Sequence, residues 1–301
     1  MRPPPLVWVM TPVHNGERHI AECIESVLAQ TYENWRYLVV DNRSTDRTPE
    51  IVQSYAAREP RMGVHQNRDF LPMLTNFNQA LRLIPAEAKY CKIVHADDTL
   101  FPECLERMVD VAERNPSVAI VTSYRLFGDE VRHEGVPYPV EVADGREICR
   151  ATLLGHCYVF GSPSSTLLRA DDVRARPDFY IEQELHSDVD VCFDLLRDAD
   201  LGFVHQILTR TRVHEDRATS FATRINTFHD AWLAMHLRYG RLYLGRREYY
   251  KRLAWRLWRY AVFLAKATVK ARFRDPSFRK HHRAALGRLL PLISSRRAAA
   301  G

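Results

Sequence analysis

The sequence predicts an α/β protein with a mainly parallel central sheet, flanking helices and a basic helical extension at its C-terminal end. Two observations support this class. Through about residue 125, short apolar runs alternate with segments whose apolar residues recur at helical spacing, which is the pattern of β-α-β units. Beyond Phe221, aromatic and aliphatic residues recur at helical spacing among arginines, which favours helices without strands.

The first strand is predicted from an apolar run that ends at Thr11-Pro12, and the helix after it from the spacing of Ile20, Ile24 and Val27. Thr48 is predicted to cap a later helix, because a hydroxyl at the N-cap and a proline in the first turn favour initiation. In chain order the predicted strands are Leu6–Met10, Trp35–Val40, Met62–His65, Tyr90–His95 and Val118–Tyr124, and the predicted helices are Glu17–Gln30, one opening at Thr48, Pro72–Ile84 and Pro102–Asn115.

The segment from Phe127 to Tyr180 is richer in Pro and Gly than the residues before it. It predicts a helix at Arg146–Leu154 and a strand at Ser165–Leu168. Ser187 is predicted to cap a further helix, because the apolar residues that follow it recur at helical spacing.

Composition is typical of a globular protein, since 46% of the 301 residues are hydrophobic and 27% are charged. No run approaches the ~20 consecutive apolar residues of a membrane-spanning helix, and Leu6–Met10 is too short for the core of a signal peptide. The six cysteines form no C-x-x-C pair, so we expect reduced thiols rather than a zinc cluster. These features predict a cytoplasmic protein.

Charge divides the chain into two regions. Nineteen of the 43 Lys and Arg residues, but only 3 of the 37 Asp and Glu residues, lie at or after Phe221, so this end carries a net charge of +16 and the preceding part −10. An acidic body with a basic arm indicates two functional regions.

The basic end has three interpretations. Tyr249–Phe273 is predicted to form a basic amphipathic helix with Trp and Tyr, which suits an anionic membrane surface such as the inner face of the cell membrane. Equally, it can form a helical cap whose arginines pair with the acidic body. Nucleic-acid binding is the weaker third interpretation, because Arg and aromatic residues would serve it but no recognised motif accompanies them.

Polar residues follow three of the predicted strands. They are Thr11–Asn15 after the first, Asp41-Asn42 after the second and Asp97-Asp98 after the fourth. Ligands of parallel sheets bind at the carboxyl ends of strands, so these residues predict one site. Adjacent carboxylates such as Asp97-Asp98 suit a divalent ion with a diphosphate; alternatively, Asp98 caps the helix predicted after Pro102.

Four ordered motifs resemble the nucleotide-binding half of the family 2 inverting glycosyltransferases, which have the GT-A fold. The motifs are Thr11–Glu17, Ser26–Tyr32, Val39–Asp46 and His95–Pro102. The resemblance covers about the first 125 residues. It implies a Rossmann-like GT-A domain over residues 1–220, in which residues 1–125 bind a nucleotide-sugar and residues 126–220 form the acceptor and catalytic half; residues 221–301 remain a separate basic helical region.

Roles for individual residues follow from the resemblance. Nucleotide-sugar contacts would come from the Thr11–Glu17 loop, from Asp41 and from Asp97, while Asp98 would bind Mn²⁺ or Mg²⁺. The sequence departs from the family at Asn42, where many members have a second Asp, and at His95, where many have the first acid of the D-x-D motif. The implied nucleotide-sugar residues are Thr11, Pro12, Asn15, Glu17, Asp41, Asn42 and Asp97.

The catalytic base is expected further along the chain. Ser187–Asp190 resembles the family's Glu-Asp-x-Asp signature with Ser in place of Glu, which implies Asp188 as the base and Asp190 as a structural or acceptor-facing residue. Capping is the alternative for these acids, because the first helical turn favours them. By resemblance, His214 completes the metal shell and Gly161–Ser164 precedes an acceptor-facing strand.

The resemblance thus implies a metal-dependent inverting transferase. It would move a sugar from a nucleotide diphosphate donor, usually a UDP-sugar, to a hydroxyl of a glycan or lipid-linked acceptor in bacterial surface-polysaccharide synthesis. Two alternatives stay open: a polyprenyl-phosphate sugar synthase, and a catalytically silent scaffold or binding module that keeps the fold.

Overall fold

A computed structural model describes residues 3–132, 135–176, 178–213, 218–269 and 275–294. The chain divides into two compact units. The first comprises Met1–Ile148 and His156–Arg212, and the second comprises Cys149–Gly155 and Val213–Gly301.

The first half of the N-terminal unit alternates strands and helices as predicted. Its apolar runs supply the buried strands, and helix α1 buries one stripe formed by Ile20, Cys23, Ile24 and Val27. The elements are β1 (Leu6–Val13), α1 (Ile20–Leu28), β2 (Trp35–Asp41), α2 (Thr48–Ala56), β3 (Met62–Gln66), α3 (Met73–Arg82), β4 (Ala88–Ile93), β5 (Thr99–Leu100), α4 (Cys104–Arg114) and β6 (Val118–Phe127).

The second half contains shorter elements and one long strand that the sequence analysis did not predict. The long strand is β10, in which polar residues interrupt the apolar ones. The elements are β7 (Glu130–Arg132), β8 (Val142–Ala143), α5 (Gly145–Leu154), a 3₁₀ turn at Pro163–Ser165, β9 (Leu167–Arg169), α6 (Ala170–Arg174), α7 (Ser187–Leu195) and β10 (Asp200–Thr211). Helix α5 contributes residues to both units, because Cys149–Gly155 is assigned to the second.

Within the described residues, the strands form one mixed sheet in the order β3-β2-β1-β4-β9-β6-β10-β5. The four strands from β3 to β4 run parallel, and β6 and β10 are also parallel to each other, whereas β9 is antiparallel to both of its neighbours. In the register of β1 and β2, Val13 lies opposite Asp41. The loops that leave β1 and β2 therefore begin at the same edge of the sheet.

Two predicted helix caps are wrong. Helix α2 has Arg47 at its N-cap with no side-chain cap bond, and the hydroxyl of Thr48 accepts a hydrogen bond from the Gly16 N–H at 2.8 Å. Helix α7 has His186 at its N-cap, and the Ser187 hydroxyl accepts a bond from the Ile181 N–H at 2.6 Å. The Thr48 hydroxyl thus joins its helix to the loop after β1, and the Ser187 hydroxyl holds the segment that precedes its helix.

The C-terminal unit is helical over its described residues beyond Phe221, as predicted. Helices α8 (Ala218–Ile225), α9 (Phe228–Tyr243), α10 (Arg246–Val269) and α11 (Pro276–Ser294) pack around a core that includes Leu237, Tyr260 and Leu289. A buried acid, Asp230 on α9, pairs with His281 Nε2 at 3.1 Å on α11. We find no helix among the described residues with the length and apolarity to cross a bilayer.

Candidate active site

The loops after β1, β2 and β4 begin next to one another. The Asn42 N–H donates to the Val13 carbonyl oxygen at 2.7 Å, and the Val94 N–H donates to the Met10 carbonyl oxygen at 2.8 Å. The polar residues that follow these strands are thereby gathered at the carboxyl edge of the sheet, where ligands of parallel sheets bind.

The loop after β1 is joined to the loop after β2 by side-chain and main-chain hydrogen bonds. Asn15, whose φ of 51° is in the left-handed region, accepts a bond from the Thr45 N–H on its Oδ1 at 2.8 Å. Glu17 accepts the Arg47 N–H on its Oε2 at 2.9 Å. Asn15 and Glu17 are exposed, and these bonds fix the shape of the loop that carries them.

Thr11 and Pro12 lie beneath this loop. The Thr11 side chain is 0% exposed, and its hydroxyl accepts a hydrogen bond from the Tyr37 hydroxyl at 2.8 Å. Pro12 is buried as well. Both residues support the loop from the interior of the sheet, so the loop surface is formed by the residues that follow them.

Asp41 and Asn42 hold the loops after β2 and β3. The Asp41 carboxylate is buried and accepts the Ser44 N–H on Oδ1 at 3.2 Å and the Gln66 Nε2–H on Oδ2 at 3.1 Å. Asn42 is 3% exposed. Its Nδ2 donates to the Leu71 carbonyl oxygen at 2.8 Å, and its Oδ1 accepts the Leu71 N–H at 2.9 Å.

The bond from Asn42 to the Leu71 carbonyl explains the departure from the family at this position. An ionised carboxylate accepts hydrogen bonds but donates none, so Asp at position 42 would face a carbonyl oxygen without a proton to share. The amide is the side chain that satisfies both groups of Leu71.

Asp97 and Asp98 follow β4 together with His95. Asp98 is 1% exposed and accepts the Arg212 main-chain N–H on Oδ1 at 3.3 Å. Its Oδ2 lies 3.9 Å from His95 Nδ1. One potential ligand atom from each of these three residues lies within 4.8 Å of the others. Two carboxylates and an imidazole are a donor set that fits a divalent transition ion.

The capping alternative for Asp98 is wrong, because Glu103 occupies the N-cap of α4. His214, the other predicted metal ligand, lies outside the described residues. Arg212, two positions before it, reaches back to the acidic loop: its Nε donates to the Asp97 carbonyl oxygen at 3.4 Å, and its guanidinium pairs with Glu22 on α1.

Asp188 is the second residue of α7, and the pKa of its carboxyl is raised. Burial raises the pKa of Asp188 from 3.8 to about 6, while the nearby His95 opposes this shift and the charge of Asp190 adds to it. Asp190 itself is buried. The electrostatic interaction with His95 relates Asp188 to the start of the Asp97-Asp98 loop, although more than 90 residues separate His95 from Asp188 in the sequence.

Helix α3 connects these two parts of the site, a role that sequence analysis missed. Asn78 donates from Nδ2 to the Tyr180 carbonyl oxygen at 2.9 Å and accepts the Tyr180 N–H on Oδ1 at 2.8 Å. The adjacent Phe77 ring contacts His95 edge-on, with centroids 5.4 Å apart, and Tyr180 at 6.1 Å. Only the apolar and polar spacing within α3 was visible in the sequence, and its partners were not.

Lys92, in the middle of β4, is a second residue that sequence analysis missed. Its side chain is fully buried, and Nζ donates to the carbonyl oxygens of Ser164 at 2.7 Å and Thr166 at 3.2 Å. Burial lowers the pKa of Lys92 below its usual value, an effect that Cys104 and Asp98 oppose. A lysine within an otherwise apolar strand is the signal that could have identified it.

The turn that Lys92 binds also touches the segment that begins at His95 and carries Asp97 and Asp98. Ser164 is buried, and its hydroxyl accepts the His95 N–H at 3.0 Å. Within the predicted acceptor segment Gly161–Ser164, Ser164 therefore supports the acidic loop from below. Gly161, with φ of 67°, occupies a conformation that favours glycine.

Phe70 is an exposed aromatic residue at the same edge of the sheet. It follows β3, is 61% exposed and contacts the ring of His14 edge-on, with centroids 4.8 Å apart. Asn42 holds the adjoining residue Leu71 in place. An aromatic surface here can stack against a planar ring of a bound molecule, and sequence analysis did not identify it.

The similarity to a known protein family covers the part of the chain that carries most of these residues. The sequence model of Glycosyl transferase family 2 matches residues 8–172. The putative glycosyltransferase EpsE of Bacillus subtilis (strain 168) is 33% identical over 157 residues, which are 50% of this chain and 56% of EpsE. The match thus spans about half the length of that relative.

Solved structures share the fold over most of the chain. S. aureus TarS (residues 1–349), in complex with UDP-GlcNAc, has a TM-score of 0.67 at 19% identity, over 95% of this chain and 81% of TarS. The mannosyltransferase PcManGT of Pyrobaculum calidifontis, in complex with GDP-Man and Mn²⁺, has a TM-score of 0.56 at 15% identity, over 95% of this chain and 86% of PcManGT. At sequence identities this low, the similarity shows a shared fold only.

Proposed function

The chain belongs to glycosyl transferase family 2, and from that membership we propose a metal-dependent inverting transfer of a sugar to an acceptor hydroxyl. The enzyme is a glycosyltransferase with a GT-A fold that uses a nucleotide-sugar. We propose that its donor is a UDP-sugar and that its acceptor is a hydroxyl of a glycan or a lipid-linked glycan of cell-surface polysaccharide synthesis. The complex of TarS with UDP-GlcNAc supports a uridine donor.

One observation carries this proposal: Asp188 interacts electrostatically with His95, which lies beside Asp98. In the reaction, the Asp188 carboxylate takes the proton of the acceptor hydroxyl while that oxygen bonds to the anomeric carbon. The bond from the anomeric carbon to the diphosphate breaks on the opposite face, and its electron pair leaves with the nucleotide. A pKa of about 6 makes Asp188 more basic than an ordinary aspartate, yet largely ionised at neutral pH.

The donor set beside Asp188 fits a divalent ion. Asp98 and Asp97 are the residues that would hold Mn²⁺ or Mg²⁺, and His214 is proposed to complete the shell. When bound, the ion supplies positive charge that balances the negative charge of the departing diphosphate. The Mn²⁺ in the PcManGT complex supports this part of the proposal. Arg212, fixed against the Asp97 carbonyl and Glu22, orients the acidic loop.

The nucleotide is proposed to bind on the loops after β1 and β2. Asn15 and Glu17 shape the exposed surface of the first loop, and Asp41 shapes the second. Thr11, Pro12 and Asn42 contribute by supporting these loops. Asp97 is proposed to contact the ribose or the metal.

We also propose that the C-terminal helices bind an anionic membrane surface at the inner face of the cell membrane. On α10, Trp258 is 61% exposed, and Trp255 and Leu257 are exposed near it. Arg252 and Arg259 lie over the Trp255 ring at 4.1 and 5.0 Å. Exposed aromatic residues among cations are the combination that binds anionic lipid headgroups.

Calorimetric titration of UDP, with and without Mn²⁺, tests the donor site. We expect binding that requires Mn²⁺ and is lost in Asp98→Ala. Asp110→Ala, at an exposed position of α4, is the matched control and should bind as wild type does. Failure of UDP, dTDP and GDP alike to bind with Mn²⁺ would contradict the proposal and favour a silent scaffold.

A screen of UDP-sugars against Asp188→Asn tests catalysis. The variant should keep UDP binding and lose transfer, and the wild-type product should have inverted anomeric configuration. Transfer at the wild-type rate in Asp188→Asn would refute Asp188 as the base. That result would favour a polyprenyl-phosphate acceptor, whose phosphate oxygen is already ionised and needs no base.

A further inference from the structure

His95 occupies a fixed position beside the acidic loop. Its N–H donates to the buried Ser164 hydroxyl at 3.0 Å, and its carbonyl oxygen accepts the Asp98 N–H at 3.0 Å. The Phe77 ring contacts the imidazole edge-on, with centroids 5.4 Å apart. These main-chain bonds hold the backbone of His95, and the Phe77 ring contacts its imidazole in the orientation observed.

That orientation directs His95 Nδ1 towards Asp98. The 3.9 Å between His95 Nδ1 and Asp98 Oδ2 is too long for a hydrogen bond. Two ligands that each lie about 2.1 Å from one ion are at most about 4.2 Å apart, so the spacing of this pair permits a shared ion. The ligand atom of Asp97 lies within 4.8 Å of both. A small rotation of the Asp97 side chain would bring this atom within the separation expected of ligands that share an ion.

We propose that His95 is a nitrogen ligand of the divalent ion and that the site therefore selects Mn²⁺ over Mg²⁺. This inference rests on the proposed function, because it concerns the ion of the same site, and it adds a ligand and a selectivity to it. Mg²⁺ binds oxygen ligands and is reluctant to exchange them for nitrogen, whereas transition ions accept imidazole readily. A carboxylate at position 95 would lessen that preference.

Pulsed electron paramagnetic resonance of the Mn²⁺-loaded full chain with UDP tests the ligand directly, because it detects ¹⁴N nuclei bound to the ion. We expect a bound imidazole nitrogen in wild type, and one fewer in His95→Asn. His156→Asn, at an exposed position of the same unit, is the matched control and should leave the spectrum unchanged. Since His214 is also a proposed ligand, the spectrum of His214→Asn is measured separately. Any ¹⁴N signal lost in that variant is assigned to His214 and not to His95.

Metal titrations by calorimetry give the second readout. His95→Asn should weaken Mn²⁺ binding by at least about tenfold, the smaller end of what loss of an outer-shell partner costs a metal site. His95→Asp should lower the ratio of Mn²⁺ to Mg²⁺ affinity relative to wild type. Thermal unfolding of each variant without metal checks that it is folded. If His95→Asn does not fold, the affinity ratio measured on His95→Asp is the test.

The outcomes separate this inference from the proposed function. If Mn²⁺ binds and the ¹⁴N signal is the same in wild type and His95→Asn, His95 is not a ligand, while metal-dependent transfer stands. An unchanged affinity ratio in His95→Asp would likewise overturn the selectivity. Absence of any Mn²⁺ binding to wild type would overturn both the ligand and the metal dependence.

Discussion

Replacement of Asp188 by Asn is expected to abolish sugar transfer and to stabilise the fold at neutral pH. Burial raises the folded-state pKa of this carboxyl from 3.8 to about 6, so its ionised form is disfavoured in the folded protein. The difference between the two values corresponds to about 3 kcal/mol of unfolding free energy. This is an upper limit, because the side chain is only partly buried.

The sign of the effect follows from proton linkage. The folded-state pKa lies above the unfolded-state value, so the carboxyl binds its proton more tightly in the folded protein. Its contribution to stability is fully present below pH 3.8 and is lost as pH rises through about 6. The stability gain of Asp188→Asn over wild type should therefore be small near pH 4, increase between pH 4 and 6, and level off above 6.

Urea unfolding monitored by tryptophan fluorescence, in EDTA at several pH values, measures this difference. Asp194→Asn is the matched control, because Asp194 is exposed on the same helix and its replacement should give no pH-dependent difference. A stability difference between Asp188→Asn and wild type that is the same at every pH would refute the reasoning from burial. Transfer by wild type should itself fall as pH drops below about 6, as the base becomes protonated.

Four further substitutions probe other contacts. Lys92→Met should lower the unfolding free energy by about 1–3 kcal/mol, measured in urea, because the carbonyl oxygens of Ser164 and Thr166 lose their donor. Asn42→Asp should cost a similar amount and raise KM for the donor; unchanged kinetics would argue against the loop after β3 as part of the site. Phe70→Ala should weaken UDP binding about 5- to 100-fold in calorimetry if the ring stacks on the base. Trp258→Ala should weaken sedimentation with phosphatidylglycerol vesicles roughly tenfold, with an unchanged Tm, whereas unaltered sedimentation would contradict membrane docking through α10.

Elements with strong apolar periodicity were predictable from the sequence. The strands β1, β2, β4 and β6 coincide with apolar runs, and their predicted ends differ from the observed ones by a few residues. Strand β10 was missed, because Asp200, His205 and Arg210 interrupt its apolar residues. Its buried positions are decided by pairing with β6, more than seventy residues earlier, and such pairing is not a property of a local window.

The candidate site was recognisable from its ordered motifs, whereas the hydrogen-bond partners of its residues are set by tertiary contacts. Motifs identified the family and named Asp41, Asp98 and Asp188 as candidates. The amide of Asn42 is explained by its hydrogen bonds to both main-chain groups of Leu71. The hydroxyl of Ser187 is explained by the bond that it accepts from the Ile181 N–H. A side chain at either position looks like a turn or cap residue in sequence, because its partner is chosen by the fold. The role of His214 stays a prediction.

The way in which Lys92 holds the turn at Pro163–Ser165 has an evolutionary consequence. Its ammonium binds main-chain carbonyl oxygens, which every amino acid supplies, so the anchor places no demand on neighbouring side chains such as Tyr158 and Ser162. A substitution at Ser162 therefore leaves this anchor in place, whereas Gly161 is constrained by its left-handed backbone. The backbone of this turn can thus be retained through changes of sequence that an anchor between two side chains would not survive.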